Sequence, residues 1–481
     1  MAATQSQSRR RRTADPTPVA HLSVAERVAK GRAARKMVPR RSHAGFDPGP
    51  DRPDPVALLE RQATTRVPEL VPIRYGRMLV SPFAYFRGAA LAMASDLSST
   101  PNSGLRVQLC GDAHLSNFGL FATPERRMVF DINDFDETAP GPWEWDVKRL
   151  AASLEIAARD NGFSEAERAP IARDCAAAYR IAMADFAGKQ NLDVFYASFD
   201  VDTGLAEYDA AVDRKALRQA QQVVAKARTR DSMQALEKLT HLVDGEPRIT
   251  AHPPLVVPAR DLMLPEHVAL FETWMRKNLR AYRSTLQNDR RVVLEKFRFV
   301  ELARKVVGVG SVGTRAWIVL MLGRDDSDPL FLQVKEAEAS VLEEFSGRSL
   351  YRNHAHRVVA GQRLMQAASD VFLGWLRVEG IDHMERDFYV RQLRDWKGAI
   401  EIDEMEPEGM RLYGTWCAWT LARAHACTGD RVAIAAYLGK SDVFDCAIAN
   451  FAAAYADQNE RDFAALGAAV AAGRIAAETG L

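Results

Sequence analysis

Between Cys110 and Glu137 the chain reads Cys-Gly-Asp-Ala-His-Leu-Ser-Asn-Phe-Gly over 110–119 and, after a short hydrophobic hairpin, Phe-Asp-Ile-Asn-Asp-Phe-Asp-Glu over 130–137. Asp112, His114, Asn117, Asp131, Asp134 and Asp136 are interleaved here with Leu109, Leu115, Phe118, Phe130 and Ile132. Packing alone favours apolar residues in such a stretch. Carboxylates set among apolar neighbours cost several kcal/mol unless cations or metals pair with them, so the pattern points to a metal-assisted site.

A second stretch, Val306-Val-Gly-Val-Gly-Ser-Val-Gly313, carries glycines at the spacing of a phosphate-cradling loop. A dinucleotide-binding unit needs a helix directly after the third glycine, then a second strand ending in an acidic residue. Thr314–Leu322 is instead β-branched, aromatic and short, which fits the return strand of a hairpin. With Arg324–Pro329 as the turn and Phe331–Lys335 as a third strand, the order is strand, glycine loop, strand, turn, strand with lysine. That order covers and grips the phosphates of ATP, with Gly308, Gly310, Ser311 and Gly313 as the cover and Lys335 as the phosphate contact. A purely structural glycine turn beside an ordinary edge-strand lysine is the plainer alternative. Arg74, Arg77 and Arg87 suit a phosphate clamp, since guanidinium forks match anionic oxygens, or equally a set of surface arginines.

The elements that must position these residues follow from periodicity and punctuation. Ser81 before Pro82 marks a helix start, followed by an Ala/Leu/Met helix to about Leu97 and a strand over Leu105–Leu109. Val147, Leu150, Ala151 and Leu154 give helical spacing after Trp143, and a second helix covers 169–187. Residues 205–243 read as a solvated helical layer, and 248–257 as a Pro-rich strand. The segment from Val292 to Lys335 is β-rich. Helices are expected near 338–345 and 355–368, a strand over 387–392, and Ala-rich helices over 408–427 and 430–473. The fold class is α+β. The organisation is a flexible basic and Pro-rich tail over 1–55, a helical unit with the acidic loops over 56–290, a β-rich nucleotide-binding unit over 291–400, and helices over 401–481 returning to the helical unit.

The totals exclude several classes. Lys and Arg number 64 against 63 Asp and Glu, so no global charge favours nucleic acid or an anionic membrane. The run Arg9–Arg12 reads as part of a solvated tail. Five dispersed cysteines without a C-x-x-C pair argue against a disulfide framework or zinc site and fit a reducing cytoplasm. No apolar run approaches a membrane span, and the N-terminus lacks the apolar stretch of a signal peptide.

Gly111-Asp-Ala-His-Leu-Ser-Asn117 resembles the H-G-D-x-H-x-x-N loop of the aminoglycoside and choline phosphotransferases, relatives of protein kinases, with Cys110 in place of the first histidine. Asp134-Phe-Asp136 falls where that family carries its metal-binding aspartate, and Asp146 matches the aspartate opening its next helix. The motif order differs: Gly308–Lys335 follows the acidic loop by about 200 residues instead of preceding it. A circular permutation reconciles the two orders, which is physically cheap where chain ends lie close together. Asp387–Gln392 is then similar to the strand leading into the hinge, and Trp416–Ala426 to the helix before the catalytic loop. Ser81–Gly88, Gln108–His114, Gln333–Ala337, Gly361–Arg363 and Tyr389–Arg394 identify the chain from about Arg74 to Asp462 as a member of the bacterial family called domain of unknown function 2252.

The resemblance implies a protein-kinase-like, two-lobe and circularly permuted α+β fold with a larger helical lobe. It implies Mg²⁺ and ATP as cofactors and transfer of a phosphoryl group to a hydroxyl of a small-molecule acceptor. Asp112 would orient the acceptor and take its proton, with His114 beside it as a hydrogen-bonding group of the catalytic set. Asn117 and Asp134 would hold the metal, joined by Asp136 or Asp131, and Lys335 would contact the α- and β-phosphates. Kinase lysines pair with a glutamate, for which Glu343 is the choice. Rival readings are a nucleotide-binding regulator without activity and adenylyl transfer to a protein.

Overall fold

Caps legible in the chain start the helices around the site. A computed structural model describes residues 21–204, 214–262, 268–306, 308–380, 383–393, 396–398 and 400–480. Five helices lead in: α1 (Val24–Met37), α2 (Pro55–Ala63), α3 (Val71–Met78), α4 (Pro82–Gly88) and α5 (Ala90–Ser98). Ser81 caps α4 by accepting from Ala84 N at 3.2 Å, with Pro82 at the first helical position. Strands β1 (Arg106–Leu109), β2 (Phe118–Ala122), β3 (Met128–Ile132) and β4 (Ala139–Pro142) follow, β1 pairing with β4 and β2 with β3.

Helix α6 (Trp143–Asp160) is the centre of the larger core, with 16 of its 18 residues buried. It packs against α7 (Glu165–Gly188) and the late helices Pro407–Thr428 and Val443–Ala471. The four meet in one apolar cluster that takes in Trp143, Leu150, Tyr179, Leu421, Ile448 and Phe451. The C-terminal helices thus return to the first half of the chain, as their alanine-rich faces allow close approach.

Beyond the short strand β5 (Phe199–Asp200) and the hairpin β6 (Thr240–Val243) and β7 (Glu246–Ile249) lies a six-stranded antiparallel sheet. Its strands are β8 (Val256–Pro258), β9 (Arg298–Lys305), β10 (Ala316–Leu322), β11 (Pro329–Ala337), β12 (Gly374–Glu379) and β13 (Glu385–Gln392), in the spatial order β12-β13-β11-β10-β9-β8. Strands β9, β10 and β11 are the three expected around the glycine loop. One face of the sheet packs on the helix Val268–Arg283 through Met275 and Tyr282; the other packs on the helix Ser232–Leu239 and β7. The sheet unit therefore begins before residue 291: Ser232–Leu239, within the segment 205–243 expected to be a solvated helical layer, covers one face of the sheet, and Val268–Arg283 covers the other. The chain is an α+β protein, and among the described residues no helix is long and apolar enough to cross a membrane.

The expected tail over 1–55 is corrected from residue 21 on, whereas Arg9–Arg12 lies outside the described residues. Ser23 and Glu26 form a capping box that starts α1. Arg35 and Arg40 then donate to the carbonyls of Ala436 and Leu438, at the C-terminal end of the helix Arg431–Leu438, where cations are favourable. His43 Nε2 meets Tyr437 Oη at 2.6 Å. Arginine-rich composition reads as solvation, yet here it docks on backbone oxygens. The contact depends on Gly31, where an added Cβ would lie 2.1 Å from Ala433 O. Gly31→Ala should therefore lower the melting temperature, overpacking at about 1–3 kcal/mol outweighing the roughly 1 kcal/mol gained in helix propensity. Gly45→Ala, with open space around its Cβ, serves as control in the same thermal melt; an unchanged or higher melting temperature for Gly31→Ala would refute the docking.

Candidate active site

Three peptide segments converge on one cavity of about 670 Å³: the loop 110–117, the turn after β3, and the glycine loop with β11. The first is held from beneath by Asp146, one turn into α6. Its carboxylate accepts from Cys110 N at 2.8 Å and Gly111 N at 3.1 Å, and contacts His425 Nε2 at 3.2 Å. His425 is fixed in turn by Tyr179 Oη at 2.9 Å. Gly111 has φ of 85°, and a Cβ there would stand 2.2 Å from Glu137 O. Only glycine fits this crossing of the two acidic loops.

With the loop fixed, Asp112 faces the cavity and pairs with Arg149, three residues after Asp146 on the same face of α6. Burial raises the Asp112 carboxyl above the usual range, Arg149 and Arg87 opposing. His114 Nε2 lies 3.7 Å from Asp112. Burial drives this imidazole well below its ordinary pKa, with Arg87 and Arg149 reinforcing, so it is neutral. Asn117 donates through Nδ2 to Asp112 O at 2.8 Å, which orients its amide at the cavity wall.

Asp134 and Asp136 stand opposite. Lys335, on β11 and 3% exposed, places Nζ 2.7 Å from Asp136 Oδ2 and 3.4 Å from Asp134 Oδ2, across 201 residues of chain in the second case. Tyr389, its register partner on β13, donates to Asp136 Oδ1 at 2.6 Å. Against the cost of burial, Lys335 and Arg391 hold Asp134 down to about 2. Against the same cost, Asp134 and Asp136 raise the Lys335 ammonium. Two buried arginines clamp the turn: Arg391 donates to Asn133 O at 2.8 Å, and Arg357 to Asp136 O at 2.8 Å and Thr138 O at 2.6 Å.

Over this group lies the glycine loop. Gly308 and Gly313 have φ of 63° and 90°, Ser311 Oγ reaches Asp136 Oδ2 at 3.4 Å, and Gly310 lines the cavity. The loop is tied to the early helices, since Val67 N donates to Gly313 O at 2.8 Å and Arg77 to Gly308 O at 2.6 Å.

Asp112, His114, Asn117, Asp134, Asp136, Lys335, Gly308, Gly310, Ser311 and Gly313 are thus brought together. Two expectations need correction. Glu343 lines the cavity but accepts from Ser340 N and Ser349 N and lies 3.6 Å from Arg357, leaving Lys335 to the two aspartates. Asp131 turns away to accept from Ile132 N and Ala367 N, both at 2.8 Å, and is not among the residues lining the cavity. Among the described residues, no group of three or more His, Cys, Asp or Glu is arranged to hold a metal on its own. Sequence reasoning missed Arg149, Tyr389, Arg391 and Arg357. Arg149 carried a signal in its three-residue spacing from Asp146; the others are named only by tertiary contact.

Fold and site together define an α+β protein whose lysine-bearing sheet closes over two acidic loops. A family model described as "Uncharacterized protein conserved in bacteria (DUF2252)" matches residues 66–469, a span that includes every one of these site residues. The chain belongs to that family. No curated protein and no solved structure matches it.

Glu137, next to this group, is pushed up to about 7 by burial, with Arg357 opposing. A carboxyl raised in the folded state adds stability below its unfolded pKa of about 4.5 and loses it as pH rises through 7. Melting curves of Glu137→Gln should therefore gain on the parent protein between pH 4.5 and 8. A difference between the two proteins that does not change with pH would refute the assignment.

Proposed function

We propose that the protein is an Mg²⁺- and ATP-dependent phosphotransferase of protein-kinase-like, two-lobe architecture, with the motifs in circularly permuted order. The observation that carries this reading is the meeting of Lys335 with Asp134 and Asp136 beneath the Ser311 loop, opposite Asp112 and Asn117. Asp112, Asn117, Asp134 and Asp136 around one cavity under a glycine hairpin, with Lys335 paired to Asp134 and Asp136 behind them, supply what phosphoryl transfer asks of a protein, which is positioning and charge neutralisation.

In this reading the Gly308–Gly313 backbone covers the phosphates and Lys335 contacts the α- and β-phosphates. Asn117 and Asp134 would hold the metal, with Asp136 next to them. One carboxylate and one amide oxygen would suit a hard cation that completes its shell with phosphate oxygens and water. When bound, Mg²⁺ neutralises charge on the β- and γ-phosphates. Asp112 orients the acceptor hydroxyl and accepts its proton as the oxygen bonds to the γ-phosphorus and the bond to the β-phosphate oxygen breaks, releasing ADP. Its raised pKa favours that proton transfer. Arg149 fixes one carboxylate oxygen of Asp112, and the other faces His114. Among the described residues the lysine has no glutamate partner, and Asp136, itself bonded by Tyr389, takes that place.

Incubation with γ-labelled or α-labelled ATP, Mg²⁺ and a panel of metabolites tests the reading. Transfer of the γ-label supports it; transfer of the α-label alone would mean adenylyl transfer, and absence of Mg–ATP binding would sink both. Asp134→Ala should lose Mg²⁺-dependent nucleotide affinity. Asp112→Ala should bind nucleotide as the parent does and turn over about 10²–10⁴-fold more slowly. Full activity in both variants would mean that the site is elsewhere.

A further inference from the structure

We propose that the acceptor is itself an anion, a phosphorylated or carboxylated hydroxy compound whose oxyanion is gripped by Arg66, Arg74 and Arg87; this rests on the phosphotransferase reading. Most acids around the cavity have cations of their own, and Glu137 and Glu338, which make no ion pair among the described residues, act on Arg66 only through their field. Asp112 has Arg149, Asp134 and Asp136 have Lys335, Glu336 has Arg315, Glu343 has Arg357 and Glu344 has Arg61. Arg66, Arg74 and Arg87 line the same cavity, and their guanidinium groups keep unpartnered donors.

Arg74 is 0% exposed. Its Nη2 is spent on Gln62 Oε1 at 3.0 Å and Gly88 O at 2.9 Å, which leaves Nε and Nη1 without a partner. Arg66 gives Nη1 to Val312 O and keeps Nε free, and Arg87 Nε is also unpartnered. Burial lowers all three guanidinium groups from their ordinary values. Buried cations with open donors are costly unless a counter-anion completes them, and planar guanidinium forks match phosphate and carboxylate.

Position decides which anion. Lys335 and the glycine loop already serve the nucleotide's phosphates. Arg87 instead lies in the field of Asp112, the group that receives the acceptor's hydroxyl. Arg66 stands against the glycine loop through Val312 O, whereas Arg74 is tied to Gly88 O, so Arg74 and Arg87, from α3 and α4, are the part of the group on the side of Asp112.

The test titrates inorganic phosphate into the full chain saturated with Mg²⁺ and a non-hydrolysable ATP analogue. Phosphate should bind the loaded protein and raise its melting temperature while leaving analogue affinity within about twofold. Arg87→Gln should weaken phosphate binding at least tenfold, keep analogue affinity, and retain a cooperative melt when unliganded, since Arg87 acts on Asp112 only through its field. Arg66→Gln provides a second variant with the same expectation for phosphate. Competition between phosphate and the analogue, with Arg87→Gln weakening the analogue, would overturn the proposal by giving these arginines to the nucleotide. Absence of phosphate binding to the loaded protein would overturn it too. Phosphate bound, and lost in Arg87→Gln, by a protein that takes no nucleotide would sink the phosphotransferase reading while leaving the anion site standing.

Discussion

The carboxylate of Asp146 is the interaction on which the site depends. Buried at the start of α6, it accepts two consecutive backbone N–H groups of the 110–117 loop and meets His425 from a helix nearly 280 residues away, at 279. Hydrogen bonds to a charged acceptor contribute about 1.5–3 kcal/mol each, and a buried carboxylate stripped of them is far worse than none. The loop, α6 and the late helix Pro407–Thr428 are therefore mutually obligatory. Asp112 can face the cavity only because the two residues before it are pinned. Helix α6 extends the same device along its length: Lys148 donates to Thr100, Ser153 accepts from Leu115 N and Glu144 from Ser103 N, so most polar side chains of a nearly all-buried helix find partners, Glu144 Oε2 and Trp145 Nε1 excepted.

The second half of the site is an electrostatic joint between the sheet and the acidic turn. Lys335 is buried, and what makes its burial tolerable is the pair Asp134 and Asp136. The same two carboxylates would be mutually repulsive without it. Arg391 and Arg357 hold the turn by its carbonyls instead of its carboxylates, which leaves the acidic side chains directed at the cavity. Position of the lysine and position of the acids are thus one constraint, expressed between elements that the chain order separates widely.

The early helices close the remaining side. Val67, Arg66 and Arg77 all bond to backbone of the glycine loop, so the loop is a wall shared by the sheet and the segment 66–77. A loop braced at both ends can present its N–H groups without first being ordered, which is the physical advantage of preorganisation. The same wall borders a cavity of about 670 Å³ that Arg66, Arg74 and Arg87 also line, each with an unpartnered donor.

The sequence by itself determined the parts whose signals are local. Glycines at 308, 310 and 313 followed by a β-branched run specify a hairpin, Ser81-Pro82 specifies a helix start, and acids crowded among apolar residues at 112–136 specify a site, because turn chemistry, capping and burial cost act over a few residues. Arg149 was legible in principle, since residues three apart on a helix share a face. Tertiary structure alone decided which charges meet. Lys335 chooses Asp136 over Glu343, Asp131 turns away from the cavity, and Arg66 leaves anonymity among the arginines to join Arg74 and Arg87. It also decided that residues 24–37 form a docked helix instead of a tail, since Arg35 and Arg40 find carbonyls some 400 residues on. Composition records that a side chain is charged; which partner lies within reach is set by packing of elements far apart in the chain, and no local pattern encodes that distance.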